Sequence, residues 1–146
     1  MSYRDREAGG EDRSRVIVAV SGRIAAIDVQ TGKELWRNEL EGLGHGVVEL
    51  LVEDGAVFVV VATSRALVCL DYALGTERWR AETSITGRAS LLRDGTRLFV
   101  ARDGYLDCFD FSGNKLWSNG LSGLGTGPTT VGLPGNVRAA DDAGYR

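Results

Sequence analysis

From residue 16 onward the chain reads as short apolar runs of four to seven residues, separated by clusters of glycine, aspartate and other turn formers. That is the pattern of β-strands joined by tight turns. The runs are Val16 to Val20, Ile24 to Ile27, Val47 to Val52, Ala56 to Ala62, Ala66 to Leu70, Ala89 to Leu92, Arg97 to Ala101, Tyr105 to Phe109, Pro128 to Leu133 and Asn136 to Ala140. Two pairs of them are joined across Glu53-Asp54-Gly55 and Arg93-Asp94-Gly95-Thr96. Val57 to Val61 is apolar at every position, so both faces of that strand are expected to be buried, as between sheets stacked face to face. The run that contains it, Ala56 to Ala62, falls far short of the ~20 residues a membrane-spanning helix needs.

The runs recur with a period of about 40 residues, a signature of stacked or radial repeats. Ile27-Asp28-Val29-Gln30-Thr31-Gly32-Lys33-Glu34-Leu35-Trp36-Arg37 returns as Leu70-Asp71-Tyr72-Ala73-Leu74-Gly75-Thr76-Glu77-Arg78-Trp79-Arg80, and again as Phe109-Asp110-Phe111-Ser112-Gly113-Asn114-Lys115-Leu116-Trp117-Ser118. The third copy is one residue shorter between aspartate and glycine. A turn absorbs such a loss, whereas a strand would have its faces inverted. Each copy therefore reads as a hairpin. Asp28, Asp71 and Asp110 accept hydrogen bonds from turn N–H groups, and Gly32, Gly75 and Gly113 supply the positive φ that closes the loop. Trp36, Trp79 and Trp117 each bring a large apolar face and one N–H donor, suited to wedging between neighbouring sheets. Two further strands precede the second and third hairpins, which gives four strands per repeat.

Units of this kind describe the blades of a β-propeller. The signature Ala26-Ile27-Asp28-Val29-Gln30-Thr31-Gly32-Lys33-Glu34-Leu35-Trp36 resembles the tryptophan-docking repeat of PQQ-like (quinoprotein) propellers, and the resemblance covers about residues 15 to 140. Later copies depart mildly, with Cys69 and Cys108 in place of Ala26 and Leu74 in place of Thr31. The expected fold is all-β, made of β-propeller-type blades of four antiparallel strands, about three per chain, in an arc that is open or closed by oligomerisation. Blades are placed at roughly 15–40, 46–83 and 88–120, with a partial blade at 127–140. A flexible charged tail is expected at 1–14 and a C-terminal tail at 141–146. In this phase the chain opens on the second strand of a blade and closes on the first and second strands of another. Closed propellers carry four to eight blades, so either copies associate head to tail, the reading favoured, or the chain is a piece of a longer parent or a naturally open stack. The strand Pro128 to Leu133 would complete another copy's opening blade in a six-bladed homodimer. Another protein is the other partner considered.

The resemblance also raises a chemistry. Enzymes of the family hold pyrroloquinoline quinone and calcium at the propeller axis, with the quinone stacked between a tryptophan and a pair of adjacent cysteines and a catalytic aspartate nearby. Cys69 and Cys108 are not adjacent; they occupy equivalent positions two residues before the repeat aspartate, where a small buried filler is expected. The three aspartates are accounted for by their turns. No cofactor is expected, PQQ and calcium being disfavoured, and with one histidine and no Cys-x-x-Cys pair a metal site is not expected either. The single His45 lies in Leu40-Glu41-Gly42-Leu43-Gly44-His45-Gly46, which returns as Leu121-Ser122-Gly123-Leu124-Gly125-Thr126-Gly127. That match makes it part of an inter-blade connection. A phosphate-cradling loop would need a strand-loop-helix setting and a following lysine. His45, Arg88 and Thr126 are the candidate ligand-loop residues, which would converge if a site were assembled between chains.

Charge and composition narrow the partners. A net charge of -3 and a pI near 5.2 leave no basic footprint for nucleic acid or an anionic membrane. The first 15 residues alternate charges without the apolar stretch of a secretory signal, so a cytoplasmic location is expected. The 20 glycines among 146 residues match a chain dominated by turns. The function expected is a non-catalytic repeat module that serves as a protein–protein interaction or self-assembly scaffold. The alternative is a ligand-binding or quinone-dependent enzyme propeller whose site is assembled between chains.

Overall fold

Thirteen antiparallel strands and no helix make up the described residues, and they fall into four sheets that follow one another along the chain. The structure is a computed structural model that describes residues 11–139. Positions 1–10 of the expected N-terminal tail, Ala140 and the expected tail 141–146 lie outside the described residues. The first sheet holds β1 (Arg15–Val20), β2 (Arg23–Asp28) and β3 (Glu34–Asn38). The second holds β4 (Val48–Glu53), β5 (Ala56–Val61), β6 (Ala66–Asp71) and β7 (Glu77–Glu82), and the third β8 (Ala89–Asp94), β9 (Arg97–Arg102), β10 (Tyr105–Asp110) and β11 (Lys115–Asn119). A two-stranded hairpin, β12 (Thr130–Leu133) with β13 (Asn136–Ala139), ends the series beside β8. Within each sheet the strands lie in chain order. This is the meander of a propeller blade.

Strand alternation decides what each sheet buries. In β5 the odd positions Val57, Val59 and Val61 pack with Ile17, Ala19, Ile24 and Trp36 of the first sheet, while Phe58 and Val60 pack with Leu91, Leu98 and Val100 of the third. All six residues of β5 are buried, as its unbroken apolar run predicts. Each such valine contributes roughly 1.5–3 kcal/mol on leaving water, so the second sheet is the keel on which both neighbours rest.

The hairpins repeat in detail. Each final strand is joined through a bulge at the same place, between Ala26 and Ile27, Cys69 and Leu70, and Cys108 and Phe109. Bulges of this kind raise the local twist, and here each lies one register step from a tryptophan, since Ala26, Cys69 and Cys108 pair with Trp36, Trp79 and Trp117. The strand expected from Pro128 begins at Thr130 instead. Proline has no N–H to give a ladder, and Thr129 spends its polar atoms elsewhere: its carbonyl accepts from Ser90 Oγ at 2.7 Å and its hydroxyl accepts from the Gly104 N–H at 2.8 Å.

Candidate functional site

The turn carboxylates come first, because they set the shape on which everything else docks. Asp28 Oδ1 accepts the N–H groups of Gln30 (2.8 Å) and Thr31 (3.1 Å), Asp71 Oδ1 those of Ala73 and Leu74 (both 2.9 Å), and Asp110 Oδ1 those of Ser112 (2.9 Å) and Asn114 (3.0 Å). All three carboxyls are held below the ordinary aspartate range. The leading cause is the Gln30 N–H for Asp28, the Arg78 guanidinium for Asp71 and the Asn114 side chain for Asp110. They are committed to turn geometry.

The Asp71 and Asp110 turns are each a seat for the tryptophan of the preceding sheet. Trp36 Nε1 donates to the Tyr72 carbonyl at 2.9 Å, and Trp79 Nε1 donates to the Phe111 carbonyl at the same distance. Both acceptors stand one residue after the turn aspartate. The indoles lie flat against glycine: a Cβ on Gly75 would sit 2.3 Å from Trp36, and one on Gly113 would sit 2.7 Å from Trp79. Only glycine leaves this space, and φ is +76° and +90° at the two positions. Asn38 Nδ2 adds a second tie at the first junction, donating to the Gly75 carbonyl at 2.9 Å.

At the two ends of the array these elements stand without a counterpart among the described residues. Trp117 is 42% exposed, its ring 6.1 Å from Phe99 in the arrangement that Trp79 and Phe58 adopt inside the array. A Cβ on Gly32 would meet nothing within 4 Å. Val16, Val18 and Val20 are 48%, 41% and 71% exposed, although the matching row Val57, Val59 and Val61 is wholly buried. Val29, at the position of Tyr72, is also exposed. The two ends present opposite halves of one junction.

The loop residues take separate places. His45 is exposed and packs against the Ser21-Gly22 turn, where a Cβ on Gly22 would be 3.0 Å from its Cα; Thr126 holds the same station against Gly104 at the far junction. Arg88, at the junction between them, turns inward to an ion pair with Glu49, and its Nη1 is buried with no hydrogen-bond partner among the described residues. No hydrogen bond or ion pair links any two of the three among the described residues. Cys69 and Cys108 are buried free thiols in different sheets, and burial pushes the Cys69 thiol up to about 11. Such a thiol is a poor nucleophile at neutral pH. Among the described residues no group of three or more His, Cys, Asp or Glu side chains could hold a metal ion.

One polar cluster has no counterpart in the sequence expectations. Arg102, 1% exposed, donates to the carbonyls of Gly87, Ser64, Val61 and Ala62 and to Thr83 Oγ1, at 2.7 to 3.2 Å. Burial lowers its guanidinium to about 10, which leaves it charged at neutral pH. Asp107, equally buried, accepts from the Ser84 N–H at 2.8 Å and the Ser84 hydroxyl at 2.6 Å. The pair pins the connection between the second and third sheets. Its only signal in the sequence is an arginine closing an apolar strand.

The sequence matches, over residues 20–142, the family described as outer membrane protein assembly factor BamB. No curated protein matches the chain. Among solved structures, BamB from Moraxella catarrhalis aligns with a TM-score of 0.68 at 23% identity, covering 87% of this chain and 40% of that one. The quinohemoprotein alcohol dehydrogenase of Comamonas testosteroni aligns at 0.60 and 20% identity, over 75% of this chain and 20% of that one. The computationally designed Ika4 protein aligns at 0.70 and 19% identity, over 90% of this chain and 82% of that one. The chain thus spans less than half the length of the two natural proteins. Likenesses at this level of identity speak to the fold.

Proposed function

This chain belongs to the outer membrane protein assembly factor BamB family of PQQ-like β-propeller repeats, and from that premise we propose that it is a non-catalytic scaffold that works by protein–protein contact through its two open blade faces. The observation that carries the reading is the row Val16, Val18 and Val20: exposed on the first sheet, it repeats the row Val57, Val59 and Val61, which is wholly buried on the second. Apolar sheet faces beside an edge strand with no pairing partner among the described residues call for a partner. The family's description names an assembly factor for proteins, in keeping with such contact. In the finer form of the proposal the partner is a second copy placed head to tail. β12 then completes the sheet that opens with β1, and two chains make six blades.

The quinohemoprotein likeness supports a blade architecture; what supports a reading without quinone is that the thiols are buried in separate sheets and the repeat aspartates are taken up by turns. Titrating pyrroloquinoline quinone, calcium and simple sugars while following tryptophan fluorescence is expected to leave the spectrum unchanged. A saturable response to any of them would favour the ligand-binding or enzymatic reading instead.

A further inference from the structure

The two open ends are matched to each other in more than apolar character. On leaving the third sheet the chain presents Trp117, Asn119, Leu121 and Leu124, which repeats the exit from the first sheet, Trp36, Asn38, Leu40 and Leu43, at identical spacing. The local geometry is reproduced too. Leu40 and Leu121 both adopt positive φ, at 49° and 51°, and their N–H groups are taken by Asn38 Oδ1 and Asn119 Oδ1, each at 2.8 Å. The second sheet's exit differs, with Ala81 and Thr83 at the corresponding positions. In the first junction this apparatus seats on a particular surface. Leu40 and Leu43 are 3% exposed against the valine row of β5, and Trp36 and Asn38 seat on the turn Asp71 to Gly75.

The open face of the first sheet is a copy of that same seat. It carries valine at all three row positions, where the third sheet has Leu98, Val100 and Arg102. Its turn, Asp28 to Gly32, has the length of Asp71 to Gly75, not the shortened length of Asp110 to Gly113. The far end is a plug of the first-junction type and the near end a socket of the first-junction type. Beside the plug stands only the two-stranded hairpin β12–β13, where the first junction has a four-stranded sheet: Leu124 is 78% exposed, where Leu43 is buried, and a cavity of about 310 Å³ lies between Leu106, Leu121, Leu124 and Val131.

We infer that Trp117 and Asn119 dock on the Asp28–Gly32 turn of a second copy of this chain, in the geometry that Trp36 and Asn38 use on Asp71–Gly75. The inference rests on the scaffold reading and names its partner and its specificity-determining contact. The indole N–H of Trp117 then donates to the Val29 carbonyl of the second copy, and Asn119 Nδ2 donates to that copy's Gly32 carbonyl. Seating requires one exchange of strands. β13 and β1 hold the same position in the repeat, so the incoming β1 replaces the four-residue β13 on β12 and brings β2 and β3 with it.

Sedimentation velocity over a concentration series tests the contact with Trp117→Ala, Gly32→Ala and an equimolar mixture of the two. Each variant alone is expected to weaken self-association at least about thirtyfold, as loss of a central tryptophan contact does. The mixture should regain dimer, because the intact Trp117 of one variant meets the intact Gly32 of the other and restores one junction per pair. Far-UV circular dichroism confirms that each variant is folded, and recovery in the mixture cannot come from a misfolded chain. Wild-type association that both variants leave unchanged would overturn the docking contact while leaving the scaffold reading in place. Wild-type protein that stays monomeric throughout would overturn the contact and the self-assembly form of that reading together.

Discussion

Arg102 enters the interior with its partners already arranged: four backbone carbonyls and the Thr83 hydroxyl converge on one guanidinium. Removing a buried charge of this kind orphans every group that faced it. Arg102→Met is therefore expected to cost about 3 kcal/mol or more, read as a lower urea midpoint without a change in slope. The turn aspartates carry a different dependence. Their carboxyls are held below the ordinary range in the fold, so the stability they contribute is complete above the unfolded carboxylate pKa and is lost as pH falls through the folded values. The urea midpoint should drop as pH is taken from about 5 toward 2, and Asp71→Asn, which can no longer ionise beside Arg78, should flatten part of that drop. The aspartates were legible in the sequence because their role is local, two or three residues of turn. Arg102 was not, since its partners lie 15 to 41 positions away and no spacing rule announces them.

At the scale of the element, the hairpin with its tryptophan is the unit that repeats, and its worth depends on whether the next turn is in place. Gly75 and Gly113 each lie under an indole, and Gly32 does not. Gly75→Ala and Gly113→Ala should each cost about 3 kcal/mol in thermal or urea unfolding, through overpacking against tryptophan added to backbone strain. Gly32→Ala should cost only the strain, about 1 kcal/mol. Strand positions followed from short apolar runs bounded by turn residues, and the frame shift in the third copy fell in the turn. The two-residue displacement of the strand start to Thr130 was hidden because Pro128 and Thr129 read as part of an apolar run, while Pro128 has no N–H to give and Thr129 turns its carbonyl to Ser90 and its hydroxyl to Gly104. β13 is the element most easily exchanged, with Val137 67% exposed and a single pairing partner among the described residues. Arg138→Pro, which faces Val131 in a hydrogen-bonded pair of the β12–β13 ladder, removes a ladder donor and should raise self-association by freeing β12, measurable by sedimentation.

For the molecule as a whole, repeat period and blade architecture were readable from three tryptophans and the runs between them. What the sequence left open was direction. That Trp36 and Trp79 seat on the turn of the following sheet became visible only when Gly75 and Gly113 were seen beneath indoles and Gly32 in open space. His45, Arg88 and Thr126 illustrate the same limit. His45 and Thr126 hold equivalent loop positions and Arg88 stands two residues past theirs, each at a different junction, so the repeat itself places them apart.

The central claim is that the two open ends are complementary halves of one junction. Multi-angle light scattering of the full chain across a concentration series tests it most directly. A molar mass rising from the chain's 15.7 kDa to a plateau at twice that value is the predicted result. A folded species that holds 15.7 kDa at every concentration would contradict it.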